Sequence, residues 1–330
     1  MVIAESDISI LIPTYRYRDK VVRAVDSALA SGAGEIIVLD DHGRDGTIER
    51  LAAYSDPRLI VRENDRNLGL WENHLAALHM ARRPWIKFIQ ADDYLLPGGL
   101  AAFAAAVDEG VSIVFGCPLY KNEADGRMWE FYHTTRPHRL TSRHVQEACF
   151  YFGWLLGSPS QILLRRAAIM GDPAIWRSTM SADFVIGAIT AAHGDTVILP
   201  PGTLVCESHG KQDSATETAL LWLERTANST AYLKARPEQG LRRLANGWVR
   251  MEAERAVRKL GRGILRREAP VADLIAAFAA IFKTMTPADL VQIWRDRRLL
   301  RAAMTFRRTR FVPFDLDRLI PELLERRSSP

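Results

Sequence analysis

The fold of this chain is decided by the stretch WIKFIQADDYLLPG, which occupies residues 85–98. The apolar run at residues 85–89 predicts a short buried strand, and two adjacent carboxylates, Asp92 and Asp93, follow where that strand ends. Paired carboxylates in such a place suit a hard divalent cation with oxygen ligands. The same pair could also form a solvated turn in which one aspartate caps the next helix. The stretch alone leaves both interpretations open.

Strand-like and helix-like segments alternate on both sides of this stretch. Buried strands are predicted at residues 8–12, 35–39, 58–62 and 111–115, and helices at residues 21–30, 47–53 and 71–81. This alternation predicts an α/β fold with parallel strands and helices on both faces of the sheet. Ligands bind such sheets beyond the carboxyl ends of the strands. The polar clusters at residues 13–15, 40–41 and 92–93 each follow a strand, so we expect them to line one crevice.

The remainder of the chain changes character near residue 214. Residues 120–157 look irregular and are rich in aromatic side chains. After them we predict a helix at residues 181–192, a strand at residues 196–199 and a polar loop at residues 205–214, and nearly pure helix follows. Residues 1–214 hold 21 basic and 26 acidic side chains, whereas residues 215–330 hold 23 basic and 13 acidic ones. Such asymmetry is typical of two modules with different partners. We therefore predict an α/β domain at residues 1–214 and a basic helical region at residues 215–330.

The composition excludes several classes of protein. With 48% hydrophobic and 25% charged residues, the chain is typical of a globular protein and not of a disordered or fibrous one. Cys117, Cys149 and Cys206 form no CxxC pair, which favours a reducing compartment. The start lacks a secretory signal, and no apolar stretch reaches the ~20 uninterrupted residues that cross a bilayer. We expect a cytoplasmic protein, with contact to the inner face of the membrane left open.

The loop at residues 40–47 is the second cluster with chemical potential. Its glycines, Gly43 and Gly46, allow tight turns, and a carboxylate there can accept a hydrogen bond from the imide N–H of uracil, thymine or guanine. The alternative is an Asx turn that starts the next helix, which we prefer for Asp45.

Together these pieces resemble the family 2 inverting glycosyltransferases, which use the GT-A fold, a mostly parallel Rossmann-like sheet between helices. The resemblance rests on ILIPTY at residues 10–15, the loop at residues 40–47, NLG at residues 67–69 and KFIQADDYLLPG at residues 87–98. Four pieces in register make a specific signal over residues 7–214, and it does not extend beyond them. It implies transfer of a sugar from a nucleoside diphosphate donor, most simply a UDP-sugar, to a saccharide or lipid-linked acceptor.

The resemblance assigns the nucleotide-sugar to residues at three strand ends. Pro13 and Tyr15 at the end of the first strand, and Asp41, would hold the uracil, with Asp40 supporting that loop. Arg66 is a candidate for the diphosphate or the base, against the alternative of a solvated surface arginine.

The resemblance also implies a Mg²⁺ or Mn²⁺ site. Asp92 would approach the ribose or the metal, and Asp93 would bind the metal at the diphosphate. His209 is the third candidate, in a stretch where relatives often write Tyr-Arg-x-His and this chain has Cys206 and Glu207 before it. The lost cationic contact could be replaced by Lys211. A second departure, Gln90 in place of an earlier aspartate, is mild.

Asp183 is the candidate catalytic base. An inverting reaction needs a group that removes the proton of the acceptor hydroxyl, and in the family this is an acidic residue at the start of a helix well after the metal motif. The stretch SADFVIG at residues 181–187 fits that description. Without the resemblance, Asp183 would be an ordinary carboxylate stabilised by the dipole at the first turn of a helix. Trp129, Tyr132, His133 and Trp154 lie where relatives build the acceptor site, although aromatics are more often core residues.

The basic tail and the rival functions complete the expectations. Arginines surround an apolar stripe containing Leu290 and Trp294, which suits an anionic membrane surface, packing against the acidic domain, or an oligomer interface. We expect no nucleic-acid partner, because no binding motif accompanies the charge. A nucleotidylyltransferase and a catalytically silent sugar-binding protein remain as alternatives. The first lacks its usual glycine-rich loop here, and intact acidic positions speak against the second.

Overall fold

A central eight-stranded sheet organises the chain. The computed structural model describes residues 3–152, 158–171, 174–177, 182–209, 219–238, 240–266, 270–273, 275–276, 279, 286–295 and 313–325. The strand order is β10-β12-β6-β11-β4-β1-β2-β3. These strands are β1 (Ile8–Thr14), β2 (Glu35–Asp40), β3 (Leu59–Glu63), β4 (Trp85–Phe88), β6 (Val111–Gly116), β10 (His138–Leu140), β11 (Ile162–Arg165) and β12 (Asp195–Leu199).

The α/β prediction is confirmed by this sheet. Strands β1, β2, β3 and β4 pair in parallel, as do β6 and β12, while β11 and β10 run antiparallel to their neighbours. Helices cover both faces, and each face has its own apolar core, because successive side chains of a strand point to opposite sides. The helices of this part are α1 (Val21–Leu29), α2 (Thr47–Leu51), α3 (Leu70–Met80), α4 (Gly99–Ala105), α5 (Ser142–Phe152), α6 (Arg166–Met170), α7 (Ala174–Arg177) and α8 (Ala182–Ala192).

A second, four-stranded sheet lies beside the predicted crevice. Its order is β5-β13-β7-β8, and its strands are β5 (Tyr94–Leu95), β7 (Leu119–Asn122), β8 (Met128–Glu130) and β13 (Leu204–Ser208). Two predictions were therefore wrong. The described part of the stretch at residues 120–157, which is residues 120–152, is not irregular, since β7, β8, β9 (Tyr132–His133), β10 and α5 lie there, and the predicted polar loop at residues 205–214 begins as β13.

The described helices of the basic tail are α9 (Ala219–Lys234), α10 (Leu241–Leu265), α11 (Pro287–Arg295) and α12 (Leu316–Glu325). Of these, α9, α10 and α12 pack on helices of the α/β part. Trp248 of α10 stacks on Phe184 of α8 with 3.4 Å between ring centroids, and Arg243 donates a hydrogen bond to Glu147 of α5. Leu233, Leu244 and residues of α12 join the same buried cluster as β4 and β6. The boundary near residue 214 remains a prediction, but the tail contributes to the core.

Among the described residues, no helix is both long enough and apolar enough to cross a membrane.

Candidate active site

An aspartate–histidine pair lies at the carboxyl end of β4. His209, directly after β13, has its Nε2 2.9 Å from Asp92 Oδ2 and 3.2 Å from the hydroxyl of Tyr17. The side chains of His209 and Asp92 are 6% and 12% exposed. The two candidates chosen from distant parts of the sequence are therefore in contact, and Tyr17 is a third member that the sequence did not single out.

Asp93 occupies a different position from its neighbour. Its Oδ1 accepts a hydrogen bond from the backbone N–H of Glu207 at 3.0 Å, and Ser160 and Cys206 also bond to this carboxylate. Burial and the charge of Asp92 raise the pKa of Asp93 to about 7. Asp93 thus fastens the acidic turn to β13, whereas Asp92 faces His209.

A buried lysine of β4 is linked to the acidic turn through Ser160. Lys87 of β4 is fully buried, and its ammonium donates to the carbonyl oxygen of Ser160 and lies 4.6 Å from the ring centroid of Phe103. The hydroxyl of Ser160 in turn accepts the backbone N–H of Gln90 at 2.8 Å. Burial lowers the pKa of Lys87 to about 7, because desolvation disfavours the charged form. Lys87 gave no signal in the sequence beyond its place in an apolar strand.

The departure at Gln90 has a local explanation. Its side-chain nitrogen lies 3.0 Å from Nε2 of His74, a fully buried residue. Burial lowers the pKa of His74 to about 4, so its imidazole is neutral at physiological pH. The amide of Gln90 can donate to the unprotonated Nε2 of this neutral imidazole, which a carboxylate could not do.

Glu207, which replaces the arginine that relatives often carry, is also paired within the protein. This buried carboxylate lies 2.7 Å from Arg23 Nη2 and 3.7 Å from Lys121 Nζ. Arg23 of α1 donates to the backbone oxygen of Asp92 at 3.3 Å and lies over the ring of Tyr94. An ion pair therefore joins α1, the acidic turn and β13 next to the Asp92–His209 pair. The sequence analysis missed Arg23 because it lies in an ordinary amphipathic helix, outside every motif.

The two aspartates at the end of β2 also divide their roles. Asp41 accepts three hydrogen bonds at 2.8 Å, from the side chain of Asn64 and the backbone N–H groups of Leu68 and Gly69. Asp40 accepts the backbone N–H of Gly43 at 2.7 Å, and among the described residues its buried Oδ1 has no hydrogen-bond partner. Asp41 thus holds the loop that carries NLG, whereas Asp40 keeps one carboxylate oxygen without a donor from the described part of the chain. Burial raises the pKa of Asp40.

The other nucleotide candidates lie around the same strand ends. Pro13 is buried within β1, Tyr15 follows that strand and is 39% exposed, and Arg16 lies over the Tyr15 ring at 5.0 Å. Arg66, with residues 67, 68 and 72, lines a cavity of about 430 Å³. Asp45 accepts the N–H and hydroxyl of Thr47, which confirms the preferred Asx-turn interpretation.

The topology places Asp183 at the crevice edge. It is in the first turn of α8, and α8 leads into β12, which runs parallel to β6. A helix that returns the chain to the start of a parallel strand has its own start at the carboxyl edge of the sheet. Burial raises the pKa of Asp183 to about 6, although the N–H of Phe184 donates to Oδ1 at 2.9 Å.

The predicted acceptor residues are partly described. Trp129 of β8 stacks on Tyr120 of β7 with 5.6 Å between ring centroids, and His133 Nδ1 lies 2.7 Å from Glu130 Oε2. Tyr132 is a core residue, 4% exposed. Trp154 and Lys211 lie outside the described residues.

The donor set suits a divalent cation held jointly with a substrate. Within the described part of the chain, no group of three His, Cys, Asp or Glu side chains is arranged to hold a metal ion. Asp92 and His209 supply one oxygen and one nitrogen, and cations of this kind commonly complete their coordination with phosphate oxygens and water. The residues therefore fit a metal that binds with a diphosphate. The sequence-based prediction named Asp93 and His209 as its ligands, and we propose that Asp92 and His209 would hold it.

A mostly parallel sheet of this order between helices is the GT-A fold, and the Asp92–His209 pair and Asp40 lie at the ends of its strands. Residues 9–170 match the family model described as "Glycosyl transferase family 2", and the chain carries a domain of that family. This confirms the resemblance inferred from the sequence.

Individual known proteins agree with that placement. The chain is 34% identical over 104 residues to the succinoglycan biosynthesis protein ExoO of Rhizobium meliloti, covering 31% of this chain and 30% of the relative. It spans about a third of the length of the curated relatives it matches. S. aureus TarS 1-349 in complex with UDP-GlcNAc is similar in fold, with a TM-score of 0.66, 16% identity and coverage of 97% and 91% of the two chains. Pyrobaculum calidifontis mannosyltransferase PcManGT, in complex with GDP-Man and Mn²⁺, gives a TM-score of 0.53, 18% identity and coverage of 91% and 85%.

Proposed function

We propose that this chain is a metal-dependent inverting glycosyltransferase that moves a sugar from a UDP-sugar to a saccharide or lipid-linked saccharide in bacterial cell-surface polysaccharide synthesis. The observation that carries the proposal is the contact between Asp92 and His209 at the strand-end edge, 2.9 Å apart. The bound UDP-GlcNAc in the TarS structure and the succinoglycan role in the name of ExoO support the donor and the setting.

Asp40 is the residue that we assign to the nucleobase. Its buried Oδ1 has no partner among the residues that the structure describes, and it can accept the imide N–H of uracil, which cytosine and adenine do not offer. Leaving that oxygen unpaired is costly in a buried site, so a ligand that supplies the donor gains affinity. Asp41, whose oxygens accept three protein donors, supports the loop instead.

Asp183 is the residue that we assign to proton transfer. In a single displacement, the acceptor oxygen forms a bond to the anomeric carbon, the bond from that carbon to the diphosphate oxygen breaks, and the hydroxyl proton passes to the base. A carboxylate whose pKa burial raises to about 6 is still ionised at neutral pH and is a stronger base than an exposed one. A divalent cation, when bound, would neutralise the charge of the leaving diphosphate.

The proposed function predicts a ligand-specific gain in thermal stability. With UDP and Mn²⁺ at about 100 times the Kd, binding stabilises the folded chain by about 2.7 kcal/mol, which raises Tm by roughly 5 °C. Differential scanning fluorimetry should show this shift with UDP plus Mn²⁺, a smaller one with UDP alone, and little with CDP plus Mn²⁺, the matched control without an imide. GDP belongs in the same panel, because guanine also offers an imide N–H. The absence of a shift with every nucleoside diphosphate would contradict the transferase assignment.

We also propose that the tail touches an anionic membrane surface, where a lipid-linked acceptor would be met. Leu265 and Trp294 are 86% and 67% exposed, and Arg266 and Arg295 follow them directly. Exposed apolar and aromatic side chains beside arginines are typical of interfacial helices.

This membrane contact predicts salt-sensitive vesicle binding. The full chain should co-sediment with vesicles containing phosphatidylglycerol and much less with pure phosphatidylcholine, and pelleting should fall as salt screens the charges. Trp294→Ser should weaken pelleting, whereas Met128→Ser, an exposed apolar residue of β8, serves as control. Equal pelleting with both vesicle types would exclude an electrostatic membrane contact. Point variants are preferable to truncation because the tail contributes to the core.

A further inference from the structure

The end of the chain returns to the α/β part as one docked segment, residues 313–325. Its short strand β14 (Phe314–Asp315) pairs in parallel with β9, with Phe314 opposite Tyr132 and Asp315 opposite His133. Phe314 is 2% exposed, and its ring centroid lies 6.1 Å from Phe131 and 5.8 Å from Tyr132. The apolar face of α12, namely Leu316, Leu319, Ile320 and Leu323, is buried in the core that also contains α5 residues.

One carboxylate of this segment bonds to three side chains of the segment it covers. Asp317 Oδ1 accepts the hydroxyl of Thr134 at 2.7 Å and lies 2.8 Å from Nε2 of His138, while Oδ2 accepts the hydroxyl and the backbone N–H of Thr135 at 2.7 and 2.8 Å. Hydrogen bonds to an ionised acceptor are stronger than neutral ones. Asp317 therefore fixes residues 134–138 from about 180 positions away in sequence.

The segment that is held in this way, residues 128–140, lies next to the candidate active site. It begins as β8, which pairs with β7, and β7 pairs with β13, the strand that ends beside His209. The Trp129–Tyr120 stack continues to Gln161, whose side-chain nitrogen donates to the Tyr120 hydroxyl at 3.0 Å. Two hydrogen-bonded strand pairs thus connect the 128–140 segment to the Asp92–His209 pair.

The 128–140 segment offers a surface suited to a sugar. Phe131 is 37% exposed and Met128 48% exposed, and beside them His133 and Glu130 form a partly exposed hydrogen-bonded pair. Aromatic faces bury the apolar face of a pyranose, and flanking polar groups bond to its hydroxyls. Such recognition depends on the segment being held in one conformation before the sugar arrives.

We propose that residues 313–325 form a clamp that holds the 128–140 segment as the acceptor-binding side of the enzyme, with Asp317 as the positioning residue. The proposal rests on the glycosyltransferase function and adds to it an acceptor-side element from the far end of the chain. Asp317 does not touch the donor site, so its effect is confined to the saccharide acceptor. The clamp also explains why the last described helix packs on the α/β part rather than on the tail helices alone.

The test compares Asp317→Asn with Asp315→Asn in the full-length chain. Asp315 is a matched control, because it is an exposed aspartate of the same segment whose carboxylate accepts only the N–H of Arg318 among the described contacts. Asp317→Asn should speed amide hydrogen exchange at residues 131–138 by about 10-fold and leave β2 and β3 unchanged, because the loss concerns local charge-assisted hydrogen bonds. Asp315→Asn should match the wild type.

A kinetic readout separates positioning from general destabilisation. With a panel of p-nitrophenyl glycosides as acceptors, Asp317→Asn should raise the acceptor KM several-fold and leave the Kd for UDP plus Mn²⁺ and the hydrolysis of the donor unchanged. Thr135→Val, which removes the hydroxyl that donates to Asp317, should raise the acceptor KM by a smaller factor. The increase in KM in the double variant should be less than the product of the two single increases. Unchanged exchange, or faster exchange with an unchanged acceptor KM, would overturn the clamp. Failure of the proposed function would be seen separately, as a wild-type chain that binds no nucleotide.

Discussion

The Asp183→Asn variant should bind UDP and Mn²⁺ as well as the wild type does and lose sugar transfer by about 10²- to 10⁴-fold, the usual contribution of a general base. The substitution keeps the shape of the side chain and removes its ability to accept a proton. Asp183 lies in the first turn of α8, where its Oδ1 accepts the N–H of Phe184, and Asn keeps the size of the side chain, so donor binding should be retained. Transfer by single-turnover kinetics and binding by calorimetry measure the two quantities independently.

Asp195→Asn is the matched control for this variant. Asp195 is the first residue of β12, at the sheet edge opposite to the start of α8, and its carboxylate forms an ion pair with Arg139 at 2.7 Å. It should keep wild-type transfer. A second signature is the pH profile, because transfer should fall as the pH drops below about 6 and protonates Asp183. Transfer that persists in Asp183→Asn would mean that another group is the base, and a parallel loss of UDP binding would mean that Asp183 supports the donor site.

The parallel core of the sheet was predictable because its strands are buried on both faces. Ile8–Thr14 and Glu35–Asp40 are buried at every position, so they appear in the sequence as short apolar runs between polar turns. β13 gave no such signal, because its buried polar residues, Cys206 and Glu207, are matched by partners from distant elements. A strand whose polar groups are paired only in the folded state looks like a loop in sequence.

The roles within each aspartate pair could not be read from sequence. Neighbouring residues at a strand end point in different directions, and a shift of one position exchanges the side chain that faces the crevice with the one that faces the protein. The resemblance implied Asp41 for the uracil, Asp93 for the metal and Asp92 for the ribose or the metal. We propose Asp40 for the uracil and Asp92 for the metal, because Asp41 and Asp93 each accept backbone N–H groups that fix the loops around them. Motif spacing identifies the pair, and only the hydrogen bonds distinguish its members.

The Asp92→Asn variant should lose the Mn²⁺-dependent part of UDP binding, with a fall in metal affinity of at least about 100-fold. Loss of a supporting partner alone commonly lowers metal affinity 10- to 100-fold, and Asp92 is assigned as a direct ligand. The amide is a neutral and weaker donor, and it also leaves His209 without the carboxylate at 2.9 Å that orients its imidazole. Titration of Mn²⁺ into the UDP-bound chain, followed by electron paramagnetic resonance, measures the affinity directly.

Two further variants make this prediction specific. Glu49→Gln, on the exposed surface of α2, removes a similar charge and should leave Mn²⁺ affinity unchanged. Asp93→Asn should act differently from Asp92→Asn, because Asp93 bonds to Glu207, Ser160 and Cys206 within the protein. Its main effect should be a lower Tm without ligand, while the metal affinity of the folded fraction falls less than in Asp92→Asn. If Asp93→Asn abolished Mn²⁺ binding and Asp92→Asn retained it, the metal would belong to Asp93, as the resemblance alone implied, and the Asp92–His209 pair would serve only to hold β13 against the acidic turn.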